Sequence, residues 1–230
     1  MKPSLRHLPL AAAALAALAA LASTPALAMQ PFTADYQASY MGLQANGVMT
    51  LAAENGGKWR YTLQVKNQLA ELSQSTLFDE QNGRLRPLSS HDASVIPFKR
   101  RAVDARYDWG SSQATWSGDV KPERRGPVAL QNGDMDGLLI NLAIARDVAA
   151  GKPLNYRMVD DGRVKTLTYR VVGKENMTVD GKTVEATKVA RVDGNKEQIA
   201  WIAPGMPVPV RLLQREGGRD ALDLTIKSLR

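Results

Sequence analysis

The sequence has no cysteine, and its 230 residues include only two histidines, His7 and His91. Without cysteine there can be no disulfide, no thiolate nucleophile, no cysteine-ligated zinc and no iron–sulfur centre. The same absence removes the lipobox that would place a lipid on a processed N-terminal cysteine. Two histidines are too few for a histidine-rich metal centre. No GxSxG, GxxxxGK[ST] or GxGxxG segment occurs, so the motif-based case for a hydrolase, a P-loop or a dinucleotide site is missing. What remains has ordinary globular proportions, 44% hydrophobic and 23% charged, with a formal net charge of +7.

The first segment is an export signal by pattern. Lys2 and Arg6 precede the unbroken apolar run Leu10–Ala22, Pro25 breaks the helix, and Ala26-Leu27-Ala28 gives the small-x-small cleavage pattern. The run is shorter than the ~20 residues needed to span a bilayer. Cleavage after Ala28 removes two basic residues and no acid, so the mature chain carries +5. The expectation is a soluble periplasmic protein, not lipid-anchored, with no stable membrane span in the mature part. With no disulfide to help, it must rely on a hydrophobic core.

Beyond residue 28 the dominant pattern is alternation. Trp59, Tyr61, Leu63 and Val65 are apolar against the polar Lys58, Arg60, Thr62, Gln64 and Lys66, as in a strand with one packed and one wet face. The period recurs in Phe32–Tyr40, Val103–Trp109 and Leu222–Ile226. Seven dipeptides punctuate the runs: Asn46-Gly47, Gly56-Gly57, Asn82-Gly83, Asp161-Gly162, Asp180-Gly181, Asp193-Gly194 and Gly217-Gly218. Roughly ten strands so spaced indicate a mainly β fold, a curved antiparallel sheet or partly open barrel or sandwich.

One segment departs from that period. Asp134–Ala150 carries Leu138, Leu139, Leu142, Ala145, Val148 and Ala149 on a helical stripe, with Asp134 as N-cap and Gly151 past the end. This one main helix is expected to pack across the sheet. Ser89–Phe98 and Val120–Gly133 read as loops. No internal repeat or long linker divides the chain, so residues 29–230 are expected to form a single domain.

Candidate chemistry is sparse. Ser89-Ser90-His91-Asp92 holds the right residue types for a triad, but neighbours in one loop cannot reach nucleophile–base–orienter geometry. His91 therefore reads as a solvated loop histidine. Asp160-Asp161-Gly162 reads as an acidic hairpin turn, with calcium the lesser alternative because no EF-type spacing follows. Neither cofactor, metal nor catalytic residue is implied, and enzyme is the least favoured class. Lys99-Arg100-Arg101 and Lys121-Pro122-Glu123-Arg124-Arg125 are interrupted by acids and form no continuous basic face, which argues against nucleic acid. They read as a solvated surface, with attraction to anionic headgroups the alternative. Trp59, Tyr61, Tyr107 and Trp109 share parity within their strands. Core packing is the ordinary reading. The alternative, on which the binding hypothesis rests, is a hollow inner face where these four, with Leu138 and Leu142, meet an apolar ligand.

Several short motifs occur in order: Tyr107-Asp108-Trp109-Gly110, the Asp134–Arg146 helix, Val179-Asp180-Gly181-Lys182-Thr183, Ala186-Thr187-Lys188-Val189, Ala200-Trp201-Ile202-Ala203-Pro204 and Pro207–Leu212. Together they resemble the DUF3108 family of exported bacterial proteins. That family's architecture is similar to periplasmic lipoprotein carriers of the LolA/LolB type, curved half-barrels that shelter acyl chains. The resemblance implies a non-enzymatic periplasmic protein with a lipid or lipoprotein acyl group as its partner. The alternative is an envelope-assembly interaction or scaffolding factor with a packed core, whose partners are envelope proteins.

Overall fold

The computed structural model describes residues 29–40 and 42–230; the expected export segment lies outside them. The class is mainly β. In chain order the strands are β1 (Phe32–Tyr40), β2 (Leu43–Glu54), β3 (Lys58–Lys66), β4 (Glu71–Gln81), β5 (Arg84–Ile96), β6 (Lys99–Asp108), β7 (Gln113–Gly118) and β8 (Val128–Ala129). Helix α1 (Gly137–Ala149) follows, then β9 (Asn155–Asp160), β10 (Arg163–Thr168), β11 (Arg170–Val179), β12 (Lys182–Asp193), β13 (Lys196–Ile202), β14 (Arg211–Glu216) and β15 (Arg219–Leu229).

Thirteen strands form one curved antiparallel sheet in the order β11-β12-β13-β14-β15-β1-β2-β3-β4-β5-β6-β7-β8. It is not closed into a barrel. Every neighbouring pair but one is consecutive in sequence, as short hairpin turns dictate. The exception is the seam, where β1 pairs with β15 along Ala34–Tyr40. Two meanders thus spread from a central pair formed by the two ends of the described chain.

The alternation expected for β1 and β3 is present: Phe32, Ala34, Tyr36 and Ala38 are buried on one, and Tyr61, Leu63 and Val65 on the other. Two expectations change. Asn46-Gly47 lies inside β2 and makes no turn. A Cβ at Gly47 would come within 3.0 Å of Leu224 Cδ2 and 3.1 Å of Tyr36 Cβ, so glycine there admits neighbouring side chains. Ser89–Phe98, read as a loop, is largely β5, paired on both sides with β4 and β6. Central pairing overrides the low strand preference of its serines and aspartate. Of the other expected loop, Val120–Gly133, only the short β8 and one turn of 3-10 helix at Pro122–Arg124 are regular.

Helix α1 begins later than expected. Its N-cap is Asp136, whose side chain accepts the Leu139 N–H at 2.8 Å. Asp134 lies two residues upstream and is spent elsewhere. The helix is also buried more completely than a single stripe allows, because Ile140 and Ile144 are enclosed along with Leu138, Leu139 and Leu142. It lies against β3, β4 and β5 on one side and β9 on the other. The β9–β10 hairpin therefore adds a third layer, and Tyr156 donates from its hydroxyl to Asp147 Oδ2 at 3.1 Å. A helix enclosed on both sides is apolar nearly all round.

Candidate functional site: the polar end of the inner face

The sheet face that carries α1 changes character along its length. Under the helix it is apolar, with Tyr36, Met49, Tyr61, Phe78 and Leu224 fully enclosed. Toward β5 and β6 the inward positions become Thr76, which bonds the N-cap Asp136, then Asp92 near it and Ser90 beside Tyr107. Strand alternation explains the separation of the Ser-His-Asp run. Ser90 and Asp92 pair with the inward Ala105 and Val103, whereas His91 turns outward and meets Asp104 at 2.7 Å. His91 is thus solvated, as expected, but on a strand.

Three aspartates from separate elements gather here. Asp136 accepts from Thr76 Oγ1 at 2.5 Å and from the Leu139 N–H. Asp160, at the end of β9, accepts from the backbone N–H groups of Gly137 at 3.2 Å and Asp161 at 2.8 Å. Asp92 receives a long hydrogen bond from Gln74 at 3.4 Å. Burial pushes the Asp136 carboxyl up to about 7, and the nearby Asp160 adds to the effect against the pull of Thr76 and Leu139. Burial likewise raises Asp92 to about 6, assisted by Asp160. Asp160 is raised as well, chiefly by burial. Tyr107, whose hydroxyl donates to the Val159 carbonyl at 3.0 Å, is pushed well up by burial.

An aspartate near 7 is poised for proton transfer only if a reacting atom can reach it. Asp136 is sealed from solvent and both its oxygens are engaged. The cluster therefore acts as a clamp, tying β4, α1 and β9 together at the helix N-terminus, where negative charge is favoured. Among the described residues no three His, Asp or Glu side chains come together as metal ligands.

Outside the clamp lies a groove of 690 Å³ into which the two basic runs converge. Asp161, in the β9–β10 turn, holds Arg101 at 2.8 Å, Arg124 at 3.1 Å and Arg163 at 2.8 Å. Its oxygens are occupied by guanidinium groups, which leaves the calcium reading of this turn without free ligands. Gly162 brings the turn in: a Cβ there would fall 2.0 Å from the Arg124 carbonyl oxygen. Asp134, only 1% exposed, pairs with Arg157 of β9 and accepts the Gln131 N–H at 2.8 Å.

The six residues chosen from sequence do not form one site. Tyr61, Leu138 and Leu142 are buried in the main core, with Trp59 partly buried against it. Tyr107 belongs to a second cluster with Trp116, and Trp109 packs on its margin. The Tyr61 hydroxyl points at Met49 Sδ, 3.1 Å away. Trp109 donates from Nε1 to the Pro87 carbonyl at 2.6 Å, beneath Arg86. Three grooves, of 850, 690 and 350 Å³, are lined by described residues, and of these only the smallest touches any of the six, at Trp109. Sequence reasoning missed the meeting of Asp92, Asp136 and Asp160. The three-residue spacing from Asp136 to Leu139 signals the cap alone, and no local pattern brings Asp92 and Asp160 to it.

None of the curated proteins compared with this chain matches it. Among solved structures, the chain is similar to the crystal structure of MucB with a TM-score of 0.38 and 11% identity. That match covers 88% of this chain and 53% of the other, so the chain spans about half the length of MucB. It is also similar to the beta-barrel-like protein of domain of unknown function DUF1849 from Brucella abortus, with a TM-score of 0.44 and 13% identity, covering 86% and 96% of the two chains. The family model described as "Protein of unknown function (DUF3108)" matches residues 35–221, from β1 into β15, and the chain belongs to that family.

Proposed function

We propose that this protein is a non-enzymatic interaction factor of the bacterial periplasm that works through its outer surface and carries no ligand inside. The observation supporting this reading is the filled inner face. Tyr61, Tyr107, Leu138 and Leu142 are buried against their own neighbours, and α1 is enclosed between sheet and hairpin. Holding an acyl chain there would require lifting α1 and exposing at least Leu138, Leu139 and Ile140. At roughly 1.5–3 kcal/mol for each large apolar side chain uncovered, that is a heavy cost for a small ligand to offset. The periplasmic assignment is supported by the Lys2–Ala28 pattern.

Native mass spectrometry of the protein extracted from its own envelope tests the reading. The expected spectrum is the bare mature chain, and delipidated protein should take up no palmitate. A stoichiometric acyl chain retained through repeated preparations would establish carriage and overturn the proposal.

A further inference from the structure

The β5–β6 hairpin ends in a two-residue turn, Pro97-Phe98, between the paired Ile96 and Lys99. Phe98 is fully exposed, at 108%, and its φ is +68°. Proline before a residue of positive φ fits a type II turn, whose second central position ordinarily belongs to glycine or asparagine. A bulky aromatic there is strained, and this one recovers nothing by packing within its own chain. Val95, across from Arg100, is exposed too. The tip is therefore apolar, projecting and locally unfavourable to the folded chain alone.

Its surroundings are cationic in a selective way. Arg101 and Arg124 are committed to Asp161, and Asp119 accepts the Ala102 N–H at 2.9 Å. Asp92 and Asp160 line the groove itself, Asp92 accepting from Gln74 and Asp160 from the Gly137 N–H at the helix N-terminus. Lys99, Arg100 and Lys121 stand exposed, and among the described residues none of them makes an ion pair. The exposed charge beside Phe98 is thus positive in excess, Lys99, Arg100 and Lys121 against Asp119, even though the groove behind it is mixed.

We propose that the β5–β6 tip docks on an anionic lipid surface, with Phe98 entering the headgroup–acyl boundary and Lys99, Arg100 and Lys121 lying on the phosphates. Aromatic side chains favour that boundary, and basic residues beside it are attracted to anionic headgroups. A protein groove could also accept a phenylalanine. The three unpaired cations favour a surface rich in negative charge, and this is the observation that decides for lipid. The inference deepens the surface-acting reading by naming a partner, and the two can fail separately.

The test is co-sedimentation of the mature chain with vesicles of phosphatidylcholine alone and of equal parts phosphatidylcholine and phosphatidylglycerol. Wild type should bind the mixed vesicles, less so as salt rises, and the neutral ones weakly. Phe98→Ala should weaken binding about tenfold, as expected for losing one inserted aromatic, with an unchanged melting temperature. Phe98→Trp should restore it. Lys99→Glu with Arg100→Glu should abolish the preference for phosphatidylglycerol. Equal binding to both vesicle types, no binding to either, or binding indifferent to Phe98→Ala would overturn the proposal. Detection of an acyl chain in the interior would overturn the proposed function and leave this result standing.

Discussion

The region beneath α1 and the β5–β6 tip treat apolar side chains in opposite ways. On the helix itself, Leu139, Ile140 and Ile144 are enclosed by sheet on one side and hairpin on the other. At the tip, Phe98 stands in solvent with a strained backbone. The strands beneath α1 and the strands of the tip belong to one continuous sheet. The difference teaches that burial here follows which elements are covered by the third layer. The β9–β10 hairpin stops at the Asp161–arginine contacts, and the strands project beyond it.

The largest effect should come from breaking the covered region. Leu139→Ala is expected to lower stability by about 2–5 kcal/mol, the range for a fully buried leucine, whereas Phe98→Ala should leave the urea midpoint unmoved. A similar loss from both would erase the contrast. Next comes the ion pair that orders the approach to α1. Arg157→Met keeps the aliphatic stem but strands Asp134, which is nearly inaccessible. A cost of about 3 kcal/mol is expected for a buried charge left unpaired, and Asp134→Asn in the same chain should recover part of it. Failure of that recovery would mean the loss was one of packing.

Much of this contrast was legible in the sequence, and the illegible parts share a cause. Strands such as Phe32–Tyr40 announced themselves because each buries one face, and a period of two follows from that alone. Ile199, Ala200, Trp201 and Ile202 are all buried, so the end of β13 packs on both faces and shows no period of two. Its Trp201 is covered by the cations of Lys188 and Arg211, at 5.1 and 4.8 Å from the ring. Strand β5 reads as a loop in sequence because Ser90 and Asp92 are polar for a tertiary reason: Ser90 lies by Tyr107, and Asp92 by Asp136 and Asp160, which are more than forty residues on. Asp134 and Asp136 both fit the local rule for a cap, and only Arg157 from β9, which takes Asp134, leaves Asp136 to the helix. The aromatics were seen as a group through shared parity, yet parity says nothing about which strands are neighbours, and Tyr61 and Tyr107 lie three strands apart.

The aspartate clamp sharpens the comparison through pH. Asp136 sits at about 7 in the folded protein against an ordinary 3.8, so the folded state holds its proton more tightly than the unfolded chain. That contribution is complete below about pH 4 and is lost as pH rises through 7. Asp92 and Asp160 are shifted in the same direction. Wild type should therefore melt at progressively lower temperature between about pH 4 and pH 7. Asp136→Asn keeps a good N-cap and should flatten that slope, becoming more stable than wild type at the alkaline end. An unchanged slope would place the titration elsewhere.

The smallest expected effect reports on the tip itself. Phe98→Gly removes a side chain from a φ of +68°, where glycine is at ease and phenylalanine is not. Relief of about 1–3 kcal/mol of strain is opposed by the roughly 0.5–1 kcal/mol that glycine adds to the freedom of the unfolded chain. The net expectation is a gain of about 1 kcal/mol in urea unfolding, together with lost binding to phosphatidylglycerol vesicles. Stability and docking would then move in opposite directions at one residue, which packing alone does not produce. If Phe98→Gly instead destabilised the protein, the side chain would have a partner within the fold, and the two regions would differ less than their exposure indicates.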